Sequence, residues 1–146
     1  FKIPTIVLRY FTVYGPRQRP DMAIHKFFDA IVKGNEIEVY GDGNQTRDMT
    51  YVSDIVDATI LAGDFQTDYL VFNIASGVRT PLKEVIRIIE TLVAKKAKVN
   101  YKPPAKGDMK DTWAEIGKAR AYLNYSPKVS LEEGLGKYLA WHVKNK

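Results

Sequence analysis

No cysteine occurs among the 146 residues, which excludes disulfides, thiolate nucleophiles and cysteine-ligated zinc. The lack of thiols fits a reducing compartment, and cytoplasmic is the expected location. Histidine is nearly as scarce. His25 and His142 lack the spacing of paired metal ligands, each falls in a predicted helix, and no residue pattern calls for a metal. No apolar run approaches the ~18 residues of a membrane-spanning helix, so no membrane partner is expected. Phe1-Lys2-Ile3-Pro4 leads straight into a predicted strand, without a leader pattern. The dinucleotide fingerprint is missing too: Gly41-Asp42-Gly43 runs into Asn44-Gln45-Thr46, with no third glycine and no helix opening there. No tyrosine is followed four residues later by lysine. Repeats, low-complexity stretches and linkers are also absent.

What is present describes one soluble domain. Apolar residues make up 45% and charged residues 27%, enough for a single core at this length. The net charge of +5 raises nucleic-acid binding as an option, but the lysines scatter along helix faces or gather at helix ends. No nucleic-acid motif accompanies them, and no nucleic-acid partner is expected.

Strands and helices alternate along the chain. Ile3 to Tyr10 is an almost continuous β-branched and apolar run, of the kind buried on both faces in parallel sheets. Such a strand needs parallel neighbours joined by crossovers, so a chain that begins on it reads as truncated. Phe11 to Pro20 is a predicted loop carrying Arg17 and Arg19. A one-sided helix follows over about Met22 to Lys33, with Asp21 as N-cap, Gly34 as stop, and Ile24, Phe27, Phe28 and Ile31 on one face. Further helices are predicted from Asp54 with Ser53 as cap, from Pro81 with Thr80 as cap, over Ile116 to Leu123, and from the Ser130/Glu133 capping box. Additional strands are predicted at Tyr69 to Ala75 and around Val99 to Lys102. Trp113 and Tyr122 read as packing residues of a small lobe. The fold class is α/β: the last strands of a Rossmann-type parallel sheet, plus a small α/β substrate-binding lobe.

The stretch with chemistry in it is Ile37 to Asp54, IEVYGDGNQTRDMTYVSD, predicted as strand, Asp-Gly turn and second strand, a hairpin. Arg47 offers a planar fork of donors suited to phosphate oxygens, and Tyr40 a flat face for a base. A nucleotide-diphosphate site and an ordinary surface hairpin both fit these residues alone.

Four ordered blocks carry a resemblance: LRYFTVYGPRQRPDMA (Leu8 to Ala23), IEVYGDGNQTRDMTYVSDIVDA (Ile37 to Ala58), FNIASG (Phe72 to Gly77) and GDMKDTWAEIGKARAYLNYSP (Gly107 to Pro127). In order and spacing the chain resembles the nucleotide-sugar epimerases and dehydratases, within the extended short-chain dehydrogenases, and looks most like the UDP-glucose 4-epimerases. The resemblance covers only the carboxyl-terminal part of such an enzyme. It implies an NAD cofactor bound mainly upstream, a homodimeric parent, and a catalytic Tyr-x-x-x-Lys group that this chain does not contain. It gives Arg47 to the diphosphate of a UDP-sugar, Tyr40 and Glu38 to the uracil, and Tyr10 and Phe11 to the neighbourhood of the nicotinamide. Thr12 falls where many epimerases carry a substrate-contacting Asn, although Thr is familiar in the glucuronate-epimerase branch. Met22 belongs to a loop that closes on substrate, Val78 to the nucleotide pocket, and Asp108 to a ribose or sugar contact. Ala105 replaces a frequent family arginine, with Lys106 as the substitute point charge.

The expectation is a UDP-sugar 4-epimerase interconverting UDP-glucose and UDP-galactose, for which this chain supplies nucleotide-sugar binding and no catalytic residue. The alternatives are a nucleotide-sugar 4,6-dehydratase, a UDP-glucuronate epimerase or decarboxylase, or a non-catalytic binding module. Isolated, the chain is expected to be inactive and prone to association.

Overall fold

The computed structural model describes residues 3–105 and 107–145. Its elements run β1 (Thr5–Tyr10), β2 (Thr12–Tyr14), α1 (Ala23–Lys33), β3 (Glu36–Tyr40), β4 (Thr46–Tyr51), α2 (Val52–Gly63), β5 (Tyr69–Ile74), β6 (Arg79–Pro81), α3 (Leu82–Val93), β7 (Lys98–Lys102), α4 (Gly117–Leu123) and α5 (Leu131–Lys144). This is the expected mixed α/β architecture, with parallel pairing between β1 and β5, β2 and β4, and β3 and β7.

The helices follow their apolar periodicity. α1 buries Ile24, Phe27, Phe28 and Ile31, and it stops where Gly34 adopts a left-handed φ of 74° and returns its N–H to Ala30 and Ile31. α5 begins as expected, with the Ser130 side chain accepting from the Glu133 N–H. Two cores result. One joins α1, β3, β4, α3 and α5 around Phe28, Ile89, Leu135 and Tyr138. The other joins β5, α2 and α4 around Phe72, Ile74 and Tyr125.

Several expectations need correction. β3 and β4 do not form a hairpin: among the described residues β3 pairs only with β7, while β4 lies between β2 and the antiparallel β6. Asp48 to Tyr51 are all buried, so β4 needs a neighbour on each edge, whereas β3 buries only Ile37 and Val39 and suits an edge position. The predicted loop after β1 contains β2, held because Tyr14 is buried beside β4. Among the described residues β1 pairs with β5 alone, and Val7 and Tyr10 are exposed rather than buried. The helix caps shift as well. α1 starts after Met22, because Asp21 pairs with Arg19 instead. α2 starts at Val52, and the carboxylate of Asp54 accepts the distant N–H groups of Lys128 and Val129. Thr80 and Pro81 lie in β6. The N-terminus of α3 is satisfied by main-chain carbonyls, Leu82 N–H donating to Gln45 O and Lys83 N–H to Gly43 O. Trp113 and Tyr122 are both exposed, with Tyr122 set against Phe65 and Phe72 on the β5 side.

Three tyrosines are buried with their hydroxyls bonded. Tyr138 pairs with His25 Nδ1 at 2.7 Å, Tyr125 donates to Ala75 O, and Tyr14 donates to Ser130 O and Leu131 O. Burial, reinforced by the Asp29 charge, pushes Tyr138 up to about 12, and burial raises Tyr14 and Tyr125 as well. Folded values above the unfolded value of about 10 mean stabilisation that is complete below pH 10 and lost as pH rises through the folded values. Each tyrosine should contribute about 1.4 kcal/mol per pH unit to that loss. Urea midpoints measured from pH 8 upward should therefore fall steeply past pH 10, and less steeply in Tyr138→Phe. A flat profile across that range would remove the assignment.

Candidate functional site

The period-two geometry of β4 sorts its residues by face. Arg47 and Met49 line a cleft of about 730 Å³, while Asp48 and Thr50 are fully buried. One wall is the start of α1, with Met22 and Lys26. Another is β3, whose Glu38 and Tyr40 line the cleft, and Thr12 from β2 and Asp108 complete it. Thr12, Met22, Glu38, Tyr40, Arg47 and Asp108, all expected at a binding site, thus share one cavity. A second hollow of about 750 Å³ adjoins it through Tyr40, Gln45 and Asp108, and is closed by Tyr101, Ala105 and Met109. Lys106 lies outside the described residues.

Arg47 is the best-held cation of the cleft, with its side chain 19% exposed. Its Nη1 donates to Thr46 O at 2.8 Å and Lys110 O at 3.3 Å, and its Nη2 donates to Asp108 Oδ1 at 2.6 Å. These bonds give the guanidinium a role in folding that the sequence did not suggest. They also fix its plane at the cleft wall, which is what bidentate recognition of an anion requires. The acidic residues around it are largely matched by cations outside the cleft: Asp21 by Arg19, Asp29 by Lys33 at 2.7 Å, and Glu38 by Lys102 at 3.6 Å. An incoming anion therefore meets less negative charge than the residue types imply.

The turn beside Arg47 is rigid for local reasons. The Asp42 carboxylate accepts from the Asn44 side chain and N–H, bonds that hold its carboxyl below the usual range. Thr46 does the same for Asp111, its hydroxyl donating at 2.6 Å, and a parallel bridge joins the two residues. Residues 108–114 are thereby strapped along β4.

The remaining expected site residues stand apart. Tyr10 and Phe11 line neither hollow; Tyr10 shares a hydrogen bond with Thr59, and Phe11 packs on the β5 core. Val78 is exposed beside a separate groove that shares Met49 with the cleft. Sequence reasoning missed Lys26, Gln18 and Asp48. Gln18 lines the cleft and is held by its donation to Val13 O. Asp48 sits between two cleft residues on the same strand, a signal that was readable but overlooked.

Comparison with known proteins gives the family of the chain. The model of the NAD dependent epimerase/dehydratase family matches residues 1–75, half of the chain. The chain belongs to that family. A UDP-glucuronate 4-epimerase of Thermodesulfobacterium geofontis is 44% identical over 141 residues, which are 95% of this chain and 43% of the relative. The crystal structure of a Bacillus cereus UDP-glucuronic acid 4-epimerase with UDP-glucuronic acid and NAD superposes with a TM-score of 0.92 at 39% identity, covering 97% of this chain and 46% of the other. A Thermotoga maritima UDP-glucose 4-epimerase with UDP-glucose gives a TM-score of 0.90 at 37% identity, covering 95% and 46%. The chain spans a little under half the length of these epimerase relatives. Among the described residues, no helix is long and apolar enough to cross a membrane.

Proposed function

We propose that this chain is the nucleotide-sugar-binding portion of an NAD-dependent UDP-sugar 4-epimerase. The observation that carries the reading is the Arg47 guanidinium, pinned by Asp108 and the carbonyls of Thr46 and Lys110 in a cleft that Tyr40 also lines. Arg47 takes the pyrophosphate. Tyr40 lies against the uracil, whose polar edge is read by β3, a strand that has a neighbour on only one edge and whose residues line the cleft. Asp108 releases Arg47 in part and turns to the ribose. Thr12 and Met22 meet the hexose, while Val78, which borders the neighbouring groove, is given no contact in this reading.

The residues present do not form an NAD site by themselves. Dinucleotide phosphates need a glycine-rich turn at a helix N-terminus, which is missing from the sequence, and Tyr10 and Phe11 border no cavity near the cleft. NAD, which accepts and returns the sugar hydride in such enzymes, is assigned to a region outside this chain, and so is the catalytic base. What these residues supply is remote binding energy: a firm hold on UDP leaves the hexose free to turn about its link to the diphosphate. A homodimeric parent enzyme is part of the same proposal.

For the sugar, the primary reading is interconversion of UDP-glucose and UDP-galactose. UDP-glucuronate is the second, favoured by the activities of the Thermodesulfobacterium geofontis and Bacillus cereus relatives. In a calorimetric titration the chain should bind UDP at least about tenfold more tightly than uridine, since charge-assisted bonds to the diphosphate are each worth on the order of 1.5–3 kcal/mol. Equal affinity for the two ligands, or no binding of either, would refute the site. Product analysis of the full-length enzyme on UDP-glucose and UDP-glucuronate separates the two sugars.

A further inference from the structure

Asp48 is a carboxylate with no exposed surface, one residue from the anion clamp, and it faces away from the cleft. Its four hydrogen bonds all come from neutral donors. Oδ1 accepts from Ser76 N–H at 2.9 Å and the Ser76 hydroxyl at 2.7 Å, while Oδ2 accepts from Gly77 N–H at 3.1 Å and Ala114 N–H at 3.3 Å. The donors belong to two segments remote in sequence: the turn leaving β5, and the end of the strap. A buried carboxylate is costly unless its lone pairs are filled, so these donors must be held in place whenever the protein is folded.

The strap is the same segment that orients Arg47. Thr46 N–H donates to Lys110 O, Thr112 N–H donates to Thr46 O, and Lys110 O and Asp108 both receive the guanidinium. Asp48 pins the far end of this segment at Ala114. It also pins the Ser76–Gly77 turn, whose Gly77 carbonyl takes the indole N–H of Trp113, another strap residue. Removing the carboxylate frees the Ala114 end and leaves the strap held to β4 by Thr46 and by Arg47 itself, so the acceptors that set the guanidinium plane are anchored at one end instead of two.

We propose that Asp48 is a positioning residue for the anion site: through the 108–114 strap it fixes the acceptors that aim Arg47 into the cleft. The inference deepens the diphosphate-binding reading and rests on it only for its ligand readout. Asp48→Asn keeps the shape but turns an NH2 group either toward the Ser76 N–H and hydroxyl or toward the Gly77 and Ala114 N–H groups, so at least one N–H donor loses its acceptor in either orientation. Ser76→Ala is the milder variant, deleting one of the four donors.

The test combines two measurements on the whole chain, made well below each variant's unfolding transition. By calorimetry, Asp48→Asn should bind UDP about tenfold or more weakly while uridine affinity stays within about twofold, and in an Arg47→Ala background it should add no further loss. By NMR, the Arg47 guanidinium protons should exchange slowly in the parent, given their bonds to Thr46 O, Lys110 O and Asp108, and faster in the variant. Ser76→Ala should move both readouts in the same direction by a smaller amount, and it decides the matter if Asp48→Asn does not fold. Guanidinium exchange as slow as in the parent overturns the proposal, as does equal weakening of UDP and uridine. If the parent itself binds no UDP, the reading of the site fails, and the exchange measurement still decides what Asp48 does.

Discussion

Arg47→Ala is expected to weaken UDP binding by about 2–3 kcal/mol, roughly 30- to 150-fold, while leaving uridine binding nearly unchanged. The magnitude follows from competition. In the free protein the guanidinium already donates to Thr46 O, Lys110 O and Asp108, so the pyrophosphate replaces or shares bonds rather than adding them to an empty donor. The gain is therefore well below the full strength of a guanidinium–phosphate pair in a dry site. It remains large because the side chain is mostly shielded from water and is fixed before the ligand arrives. Arg47→Lys should recover only part of the loss, since an ammonium is a point charge without the fork. Calorimetric titration with UDP and with uridine checks both variants. Parent-like UDP affinity in Arg47→Ala would remove the anion clamp from the site.

Phe28→Ala is expected to destabilise the fold by about 3–5 kcal/mol, a large fraction of the total for a domain of this size. Phe28 has no exposed surface and faces Tyr138 of α5 at a ring-centroid distance of 5.1 Å, with the His142 ring at 6.3 Å. Both partners are rigid aromatic groups on another helix, so neither can fill the space left behind, and the cavity term adds to the lost transfer energy. The effect should reach the cleft, because α1 supplies Met22 and Lys26 to its wall. Urea unfolding at neutral pH measures the loss. A destabilisation below about 1 kcal/mol would mean that α1 and α5 do not share a tight core.

Much of this was legible from local pattern. The stripe of Ile24, Phe27, Phe28 and Ile31, the stop at Gly34 and the Ser130 cap each depend on neighbours within about one helical turn and appear where the local pattern placed them, although the Glu133 side chain pairs with Lys137 instead of completing the box. Arg47 and Tyr40 stood out by residue type beside a glycine-rich turn, and they meet in one cleft. The hairpin was misread because a turn signal says nothing about which edges the flanking strands need. β4 is buried from Asp48 to Tyr51 and takes two partners, whereas β3 takes β7, more than fifty residues downstream. Caps failed where a distant group did the work, as the carbonyls of Gly43 and Gln45 do for α3.

The sequence by itself determined the helix faces, the α/β class, the family and the presence of Arg47 and Tyr40 beside one turn, because these rest on interactions short in chain length or on ordered motifs. Tertiary structure alone decided strand partnership, the meeting of Asp108 with Arg47, and the surroundings of Asp48. Its four donors come from residues 28, 29 and 66 positions away. A buried charge is tolerated only where such donors converge, and convergence is a property of the folded chain that no local pattern encodes.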